Sequence, residues 1–253
     1  MFRRLNSLAH SAADIHGHVA RQVEAGIYDR GIFKCLFVVG GPGSGKSTVF
    51  KRIAAHLHIK ILNVDTAYEL LMRKHDIPLR FNEQTEDERE MSQELRKPAW
   101  NLTNKLEDAY VLGHLPIILD GTGAKLRELM ADKKRFNEYG YSTGCLFVNT
   151  SLEVAKDRNR GRDRALPDEM VERIWNETQA NIGHLQQLFT SGPANIPNGF
   201  QVIDNSGSKR IEDPLSDEEM KIYKWVSKML DAKVTNPIAL KWISDEMKAR
   251  KAV

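Results

Sequence analysis

Apolar residues in this chain follow two rhythms. Short, mostly apolar runs occur at Phe33–Val39, His58–Val64, Leu115–Leu119, Gly144–Val148 and Phe200–Ile203. Runs of this length bounded by Gly, Asp or Asn read as buried strands. Between them apolar residues return every three or four positions, the rhythm of a helix with one buried face. Ile15, Val19, Val23 and Ile27 predict a helix over 11–28, and Val49–Leu57 predicts one directly after the first strand. Residues 66–75 and 91–112 predict two more, with Pro98 a kink or a restart. Lys125–Tyr139 predicts another, closed by Gly140 just past its last turn. Thr150-Ser151-Leu152-Glu153 reads as a capping box. Val171, Ile174, Trp175, Thr178, Ile182, Leu185 and Leu188 form one long stripe, followed by a Gly/Pro/Asn loop at 192–199.

After about residue 210 the strand signal stops. Ser216 with Glu219 opens a helix carrying Met220, Tyr223, Val226 and Leu230, and Asn236-Pro237 opens one carrying Leu240, Ile243 and Met247. These predict a C-terminal helical pair. Strands alternating with helices argue an α/β fold: a parallel sheet between two layers of helices. The expected organisation is an N-terminal packing helix over 1–30, an α/β domain over 31–210 and a helical extension over 211–253. Ligands of such sheets bind beyond the carboxyl ends of the strands. Those ends are Gly40, Asp65, Asp120, Asn149 and Asp204, so carboxylates collect at one edge.

Composition narrows the class without naming a partner. The chain has 253 residues, 41% hydrophobic and 28% charged, as expected of a water-soluble globular protein. A net charge of +3 neither demands nor excludes a polyanion. Cys35 and Cys145 lie in strand-like runs and read as packing thiols in a reducing cytoplasm. No stretch is long and apolar enough for a membrane span. His16 and His18, two positions apart, cannot share a helix face and are not read as metal ligands.

The chemistry starts at Gly40-Gly41-Pro42-Gly43-Ser44-Gly45-Lys46-Ser47-Thr48, which fits G-x-x-x-x-G-K-[ST] between a strand and a helix. The glycines let successive N–H groups face a polyphosphate, and the helix turns its positive dipole end toward the same anion. Lys46 would reach the β- and γ-phosphates of ATP, and the Ser47 hydroxyl would bind Mg²⁺. Asp65, at the end of the second strand, would orient an acceptor hydroxyl and take its proton. The alternative is an N-cap for the helix at 66. Asp120 sits where a carboxylate near Mg²⁺ is expected, directly or through water. The glycines of Gly121-Thr122-Gly123 would let substrate approach the backbone, unless they serve only a tight turn. Gly121 stands where ATP-driven motors place a water-activating Glu.

Arg158, Arg160, Arg162 and Arg164 follow at alternate positions. Steps of four pair Arg158 with Arg162 on one helical side, and Arg160 with Arg164 on the other. Forked guanidinium contacts suit phosphate oxygens in transfer. A solvated, charged helix end is the plainer alternative. No Asn-Lys-x-Asp motif is present, which favours ATP over GTP, and Asn205 and Gly207 follow the last strand toward the purine pocket.

Together these stretches resemble the P-loop kinases, nearest to polynucleotide kinase and zeta-toxin-like phosphotransferases; many kinase-like proteins of tailed phages look similar. The resemblance spans about 32–207 and rests on the Gly-rich loop, Asn63-Val64-Asp65, Ile118-Leu119-Asp120-Gly121-Thr122-Gly123, and Val148–Ala155 through the arginines. It implies a five-stranded sheet of order 2-3-1-4-5, a mobile lid over about 151–167, Asp65 as base and Arg158 and Arg162 as lid arginines. Thr122, Lys125, Arg160 and Arg164 join Asp120 as expected substrate contacts. Relatives often carry Arg soon after Gly-Thr-Gly; this chain has Ala124-Lys125. The expected function is ATP- and Mg²⁺-dependent phosphotransfer to a hydroxyl on a nucleic-acid end, a modified DNA base or a nucleotide-type molecule. The acidic stretch 83–90 and the lack of an aromatic-interleaved basic groove weigh against a nucleic-acid acceptor. The alternative function is an ATP-binding assembly protein whose terminal helices hold a protein partner.

Overall fold

The computed structural model describes residues 26–54, 57–80, 83–192, 194–207 and 212–251. The helix expected over 11–28, with His16 and His18, lies outside the described residues except for its end, where 26–30 form turns. Five strands make one sheet: β1 (Lys34–Val39), β2 (Lys60–Leu62), β3 (Ile117–Gly121), β4 (Ser142–Asn149) and β5 (Asn195–Asp204). Their order is β2-β3-β1-β4-β5 with every pairing parallel, the order the resemblance implied. In chain order the helices are α1 (Lys46–Ala54), α2 (Val64–Lys74), α3 (Glu86–Glu94), α4 (Arg96–Leu112) and α5 (Leu126–Glu138). They continue as α6 (Leu152–Arg160), α7 (Asp168–Ala180), α8 (Ile182–Thr190), α9 (Asp217–Asp231) and α10 (Pro237–Lys251).

β1 is buried along its whole length, and its alternation sorts the two helical layers. Cys35, Phe37 and Val39 face one layer, packed with Leu129 and Phe136 of α5, Leu185 and Phe189 of α8, and Ala239 of α10. Leu36 and Val38 face the other, with Val49 and Ile53 of α1 and Ile222 and Val226 of α9. The C-terminal helices therefore cover opposite faces of the sheet and are not a mutually packed pair. A pair of buried, hydrogen-bonded charges fixes α9 to α1. Arg52 Nε lies 2.7 Å from Glu219 Oε1 with both side chains at most 2% exposed, and Arg52 Nη2 donates to Glu219 Oε2 at 3.0 Å. Glu219 also closes the capping box with Ser216 that the sequence predicted.

Several boundaries differ from the expectation for local reasons. His58 has a positive φ of 52°, so β2 begins only at Lys60. It ends at Leu62 because Asn63 caps α2, its Oδ1 accepting from Asp65 N at 2.7 Å. The acidic stretch 83–90 runs into a helix that starts before the expected residue 91: α3 begins at Glu86, opened by a Thr85–Glu88 capping box with three acids in the first turn. Pro98 marks a restart: it occupies the first turn of α4, where its missing N–H costs nothing. The cap of α6 is Ser151, not Thr150, and its hydroxyl accepts from Val154 N. The long stripe 171–188 is split at Asn181 into α7 and α8. Part of the 192–199 loop belongs to β5, which is irregular opposite Thr143–Cys145. The thiols of Cys35 and Cys145 are free, and burial pushes both well up, so they pack and do not react. Among the described residues no helix is long and apolar enough to cross a membrane.

Candidate active site

Register alone brings the polar ends together. Val39 pairs with Gly121 and Leu62 pairs with Leu119, so the loop after β1, Asn63 after β2, and Asp120 near the end of β3 emerge side by side. The loop Gly40–Gly45 turns into α1 through two positive-φ glycines, Gly43 at 76° and Gly45 at 79°. A Cβ at Gly43 would stand 2.1 Å from Ala155 O, and one at Gly45 would stand 2.3 Å from Asn205 Nδ2. Only glycine fits either place. Ser44 is buried against Gly40, Ser47 at the head of α1 is exposed, and Thr48 lies half-buried behind it.

Lys46 Nζ donates to Gly40 O at 2.7 Å and lies 3.9 Å from Asp120 Oδ1. Burial pulls the ammonium below the usual lysine range, against the attraction of Asp120. Burial likewise raises the Asp120 carboxyl, opposed by Lys46 and by the Asn63 amide, which donates to Asp120 Oδ2 at 2.6 Å. Asp120 Oδ1 is buried with no hydrogen-bond partner among the described residues. That orphaned oxygen and the exposed Ser47 hydroxyl suit a hydrated Mg²⁺ held mainly by phosphate oxygens, and the Gly43–Gly45 cradle suits a polyphosphate.

Asp65 lies in the first turn of α2, and the capping role is taken by Asn63. Its Oδ1 forms an ion pair with Arg164 Nη2 at 2.7 Å. The charges of Asp65 and Arg162 act on both Lys46 and Asp120, so these four form one electrostatic cluster.

The arginines do not sort by helical side, because α6 ends at Arg160 and Gly161 caps it. Arg158 donates to Asn205 O and Gly207 O, each at 2.6 Å, while Asn205 Nδ2 donates to Ser44 O at 2.8 Å. Arg158 and Asn205 thus buttress the Gly-rich loop. Arg160 pairs with Asp157 at 2.8 Å and with Asp168, on the surface. Arg164 adds Glu69 at 3.6 Å and lies over the Tyr68 ring at 5.4 Å. Lys125 is exposed and paired with Glu128 at 2.8 Å.

Other contributors carried no motif. Thr178 Oγ1 donates to Thr122 O at 3.1 Å, and Asn181 Nδ2 donates to Gly123 O and Ala124 O at 2.9 and 2.8 Å, so the end of α7 holds the turn after β3. Trp175 Nε1 donates to Thr150 O at 2.9 Å and its ring lies against Gly41. The sequence offered Asp65 as the cap of this helix, whereas Asn63 is both the cap and the partner of Asp120.

Comparison with known proteins bears on the family and the fold. Residues 36–185, more than half of the chain, match the family model described as an AAA domain. No curated protein matches the chain. A solved structure from the PezAT chromosomal toxin–antitoxin system of Streptococcus pneumoniae is 14% identical with a TM-score of 0.53, covering 88% of this chain and 94% of that one. A structure described as a candidate kinase from Chloroflexus aurantiacus is 14% identical with a TM-score of 0.52, covering 79% of this chain and 99% of that one. Such identities speak for the fold alone. The family match runs from β1 into α8 and takes in Lys46, Asp65, Asp120 and all four arginines, and the chain belongs to the AAA domain family.

Proposed function

We propose that the chain is a Mg²⁺-dependent phosphotransferase that moves the γ-phosphoryl group of ATP to a hydroxyl acceptor. The observation that carries this reading is a chain of contacts at the carboxyl edge of the sheet: Lys46 lies 3.9 Å from Asp120, the Asn63 amide donates to Asp120, and Asn63 Oδ1 accepts from the backbone N–H of Asp65. In this mechanism the loop N–H groups and Lys46 hold the β- and γ-phosphates. Asp65 orients the acceptor hydroxyl and accepts its proton as the acceptor oxygen bonds to the γ-phosphorus and the bond to the β-bridging oxygen breaks. Arg162 and Arg164 supply positive charge over the transferring group, and Arg158 keeps Asn205 and the loop in place. Bound Mg²⁺ would neutralise phosphate charge, held by the Ser47 hydroxyl and, through water, by Asp120. Thr122 and Lys125 flank the acceptor side. The acceptors implied by the resemblance are a 5′-hydroxyl nucleic-acid end, a modified base and a nucleotide-type molecule.

The test is incubation with γ-labelled ATP and separate pools of DNA, RNA, nucleosides, sugars and nucleotide sugars. Label should pass to at least one pool, and Lys46→Ala should abolish the transfer. ATP turnover that nucleic acid stimulates, with no label leaving water and phosphate, would overturn the reading in favour of an ATPase.

A further inference from the structure

A cleft of about 440 Å³ lies between α4 and α5 on the β1 face that carries Phe37, and it reaches the sheet edge at Asp120–Gly123. If the phosphotransfer reading holds, this is the room beside the transferring phosphoryl group in which an acceptor would sit. The floor is apolar, with Phe37, Leu62 and Leu119. Trp100, 56% exposed, gives it an aromatic wall. The charged lining is lopsided. Glu107, Asp120, Glu128 and Asp132 contribute four carboxylates, and Lys125 is the one cation among the lining residues. Lys125 is already paired with Glu128 at 2.8 Å. Arg135, behind the wall, is shared between Glu107 at 3.0 Å and Asp132 at 3.1 Å. Lys46 lies 3.9 Å from Asp120, so three cations face four carboxylates; the cleft keeps a net negative charge, and its low-dielectric walls concentrate that field.

We propose that this cleft selects a small hydroxyl acceptor carrying no phosphate or carboxylate, either neutral or amine-bearing, and turns phosphorylated acceptors away. Carboxylates accept hydrogen bonds from hydroxyl and ammonium groups and offer none to an anion. An ammonium also gains from an aromatic wall such as Trp100. A phosphate would meet excess like charge, with Lys125 the one cation among the lining residues and already engaged by Glu128. Burial pushes the Glu107 and Asp132 carboxyls up, opposed by Arg135 and helped by neighbouring carboxylates.

Two readouts test this. The first is kcat/KM for matched acceptors: a nucleoside against its 3′-phosphate, a sugar and an amino sugar against the sugar phosphate, and a 5′-hydroxyl oligonucleotide. Phosphate-free acceptors should be preferred by about tenfold or more. The exposed-site variant Glu128→Gln and the wall variant Glu107→Gln should each shrink that preference. Equal or better use of phosphorylated acceptors would sink the inference and leave the kinase reading standing. No transfer to any acceptor by a protein that still binds ATP would bring both down. The second readout needs no turnover. The emission lost in Trp100→Phe isolates Trp100, and caesium should quench it about threefold or more better than iodide, after scaling to free tryptophan. Equal quenching by the two ions would show that the cleft does not exclude anions.

Discussion

Asp65→Asn separates the chemistry from the scaffold. In the structure the Asp65 side chain is 56% exposed and bound to Arg164, itself 16% exposed, at 2.7 Å. A pair this open contributes about 0–1 kcal/mol to stability. Asparagine keeps the cap geometry, because the bond to Asn63 comes from the backbone N–H of residue 65. Arg164 also retains Glu69 within 3.6 Å. The melting temperature should therefore hardly move. ATP affinity should stay within about threefold, since Asp65 acts on Lys46 more weakly than Asp120 or Arg162 does. Loss of the proton acceptor, by contrast, should lower kcat by about 100- to 10,000-fold. That corresponds to roughly 2.7–5.4 kcal/mol of barrier. Rapid-quench transfer from γ-labelled ATP, run beside a fluorescent-ATP titration and a thermal melt, reads all three quantities. A kcat within about threefold of wild type would refute the base assignment. A parallel collapse of ATP binding and melting would assign Asp65 to structure.

Two further predictions concern the frame of the site. Lys34 is buried near Lys233 O, and burial pulls its ammonium down to about 8 from 10.5. Between these values the unfolded chain binds the extra proton, so stability rises with pH across that window and the full cost of burying the charge is present below it. Lys34→Met should stabilise the fold by up to roughly 3 kcal/mol at pH 7 and by little at pH 10.5; a gain that does not depend on pH in denaturant melts would count against this. Glu219→Gln leaves the Arg52 charge buried with the carbonyls of Asp213 and Pro214, at 3.2 and 3.0 Å, among its remaining partners. It should cost about 3–5 kcal/mol, while Arg52→Met with Glu219→Leu should recover most of the loss; a single-variant loss below about 1 kcal/mol would contradict the role given to this pair.

What could be read from the sequence follows from what burial imposes on it. β1 was legible because both its faces are covered, which forces an unbroken apolar run. β2 was overextended because the alternation through Val64 continues into α2, whose first residue is itself apolar. The first turns of α3 were not read as helix, because a helix with Ser92 as its one buried residue leaves no stripe to find. The helix α9 was legible as amphipathic, whereas the stripe expected on α10 was not its buried face: Leu240 and Met247 are exposed and Ala239 is the buried residue. A stripe reports that one face is covered and is silent about the partner, here the α1 layer for Val226 on α9 and the α5 and α8 layer for Ala239 on α10.

The arginine run shows the same limit at the site. Spacing carries geometric meaning only while the helix lasts, and α6 ends at Arg160. Beyond Gly161 the chain leaves helical geometry, and partners decide where each guanidinium goes. Two backbone carbonyls draw Arg158 to the loop's flank, two surface carboxylates draw Arg160 to solvent, and Asp65 with Glu69 draws Arg164 across to α2. The Gly-rich loop escaped this ambiguity because sterics leave it no freedom: Gly43 and Gly45 must be glycine where Ala155 and Asn205 approach. The phosphate-gripping half of the site is thus written in local constraints, whereas the half that would select an acceptor is assembled from separate elements. Trp100 and Glu107 on α4 meet Glu128 and Asp132 on α5 only because both helices cover the same face of β1. A local motif therefore identifies the donor more readily than the acceptor, and the acceptor has to be sought in the charge of that cleft.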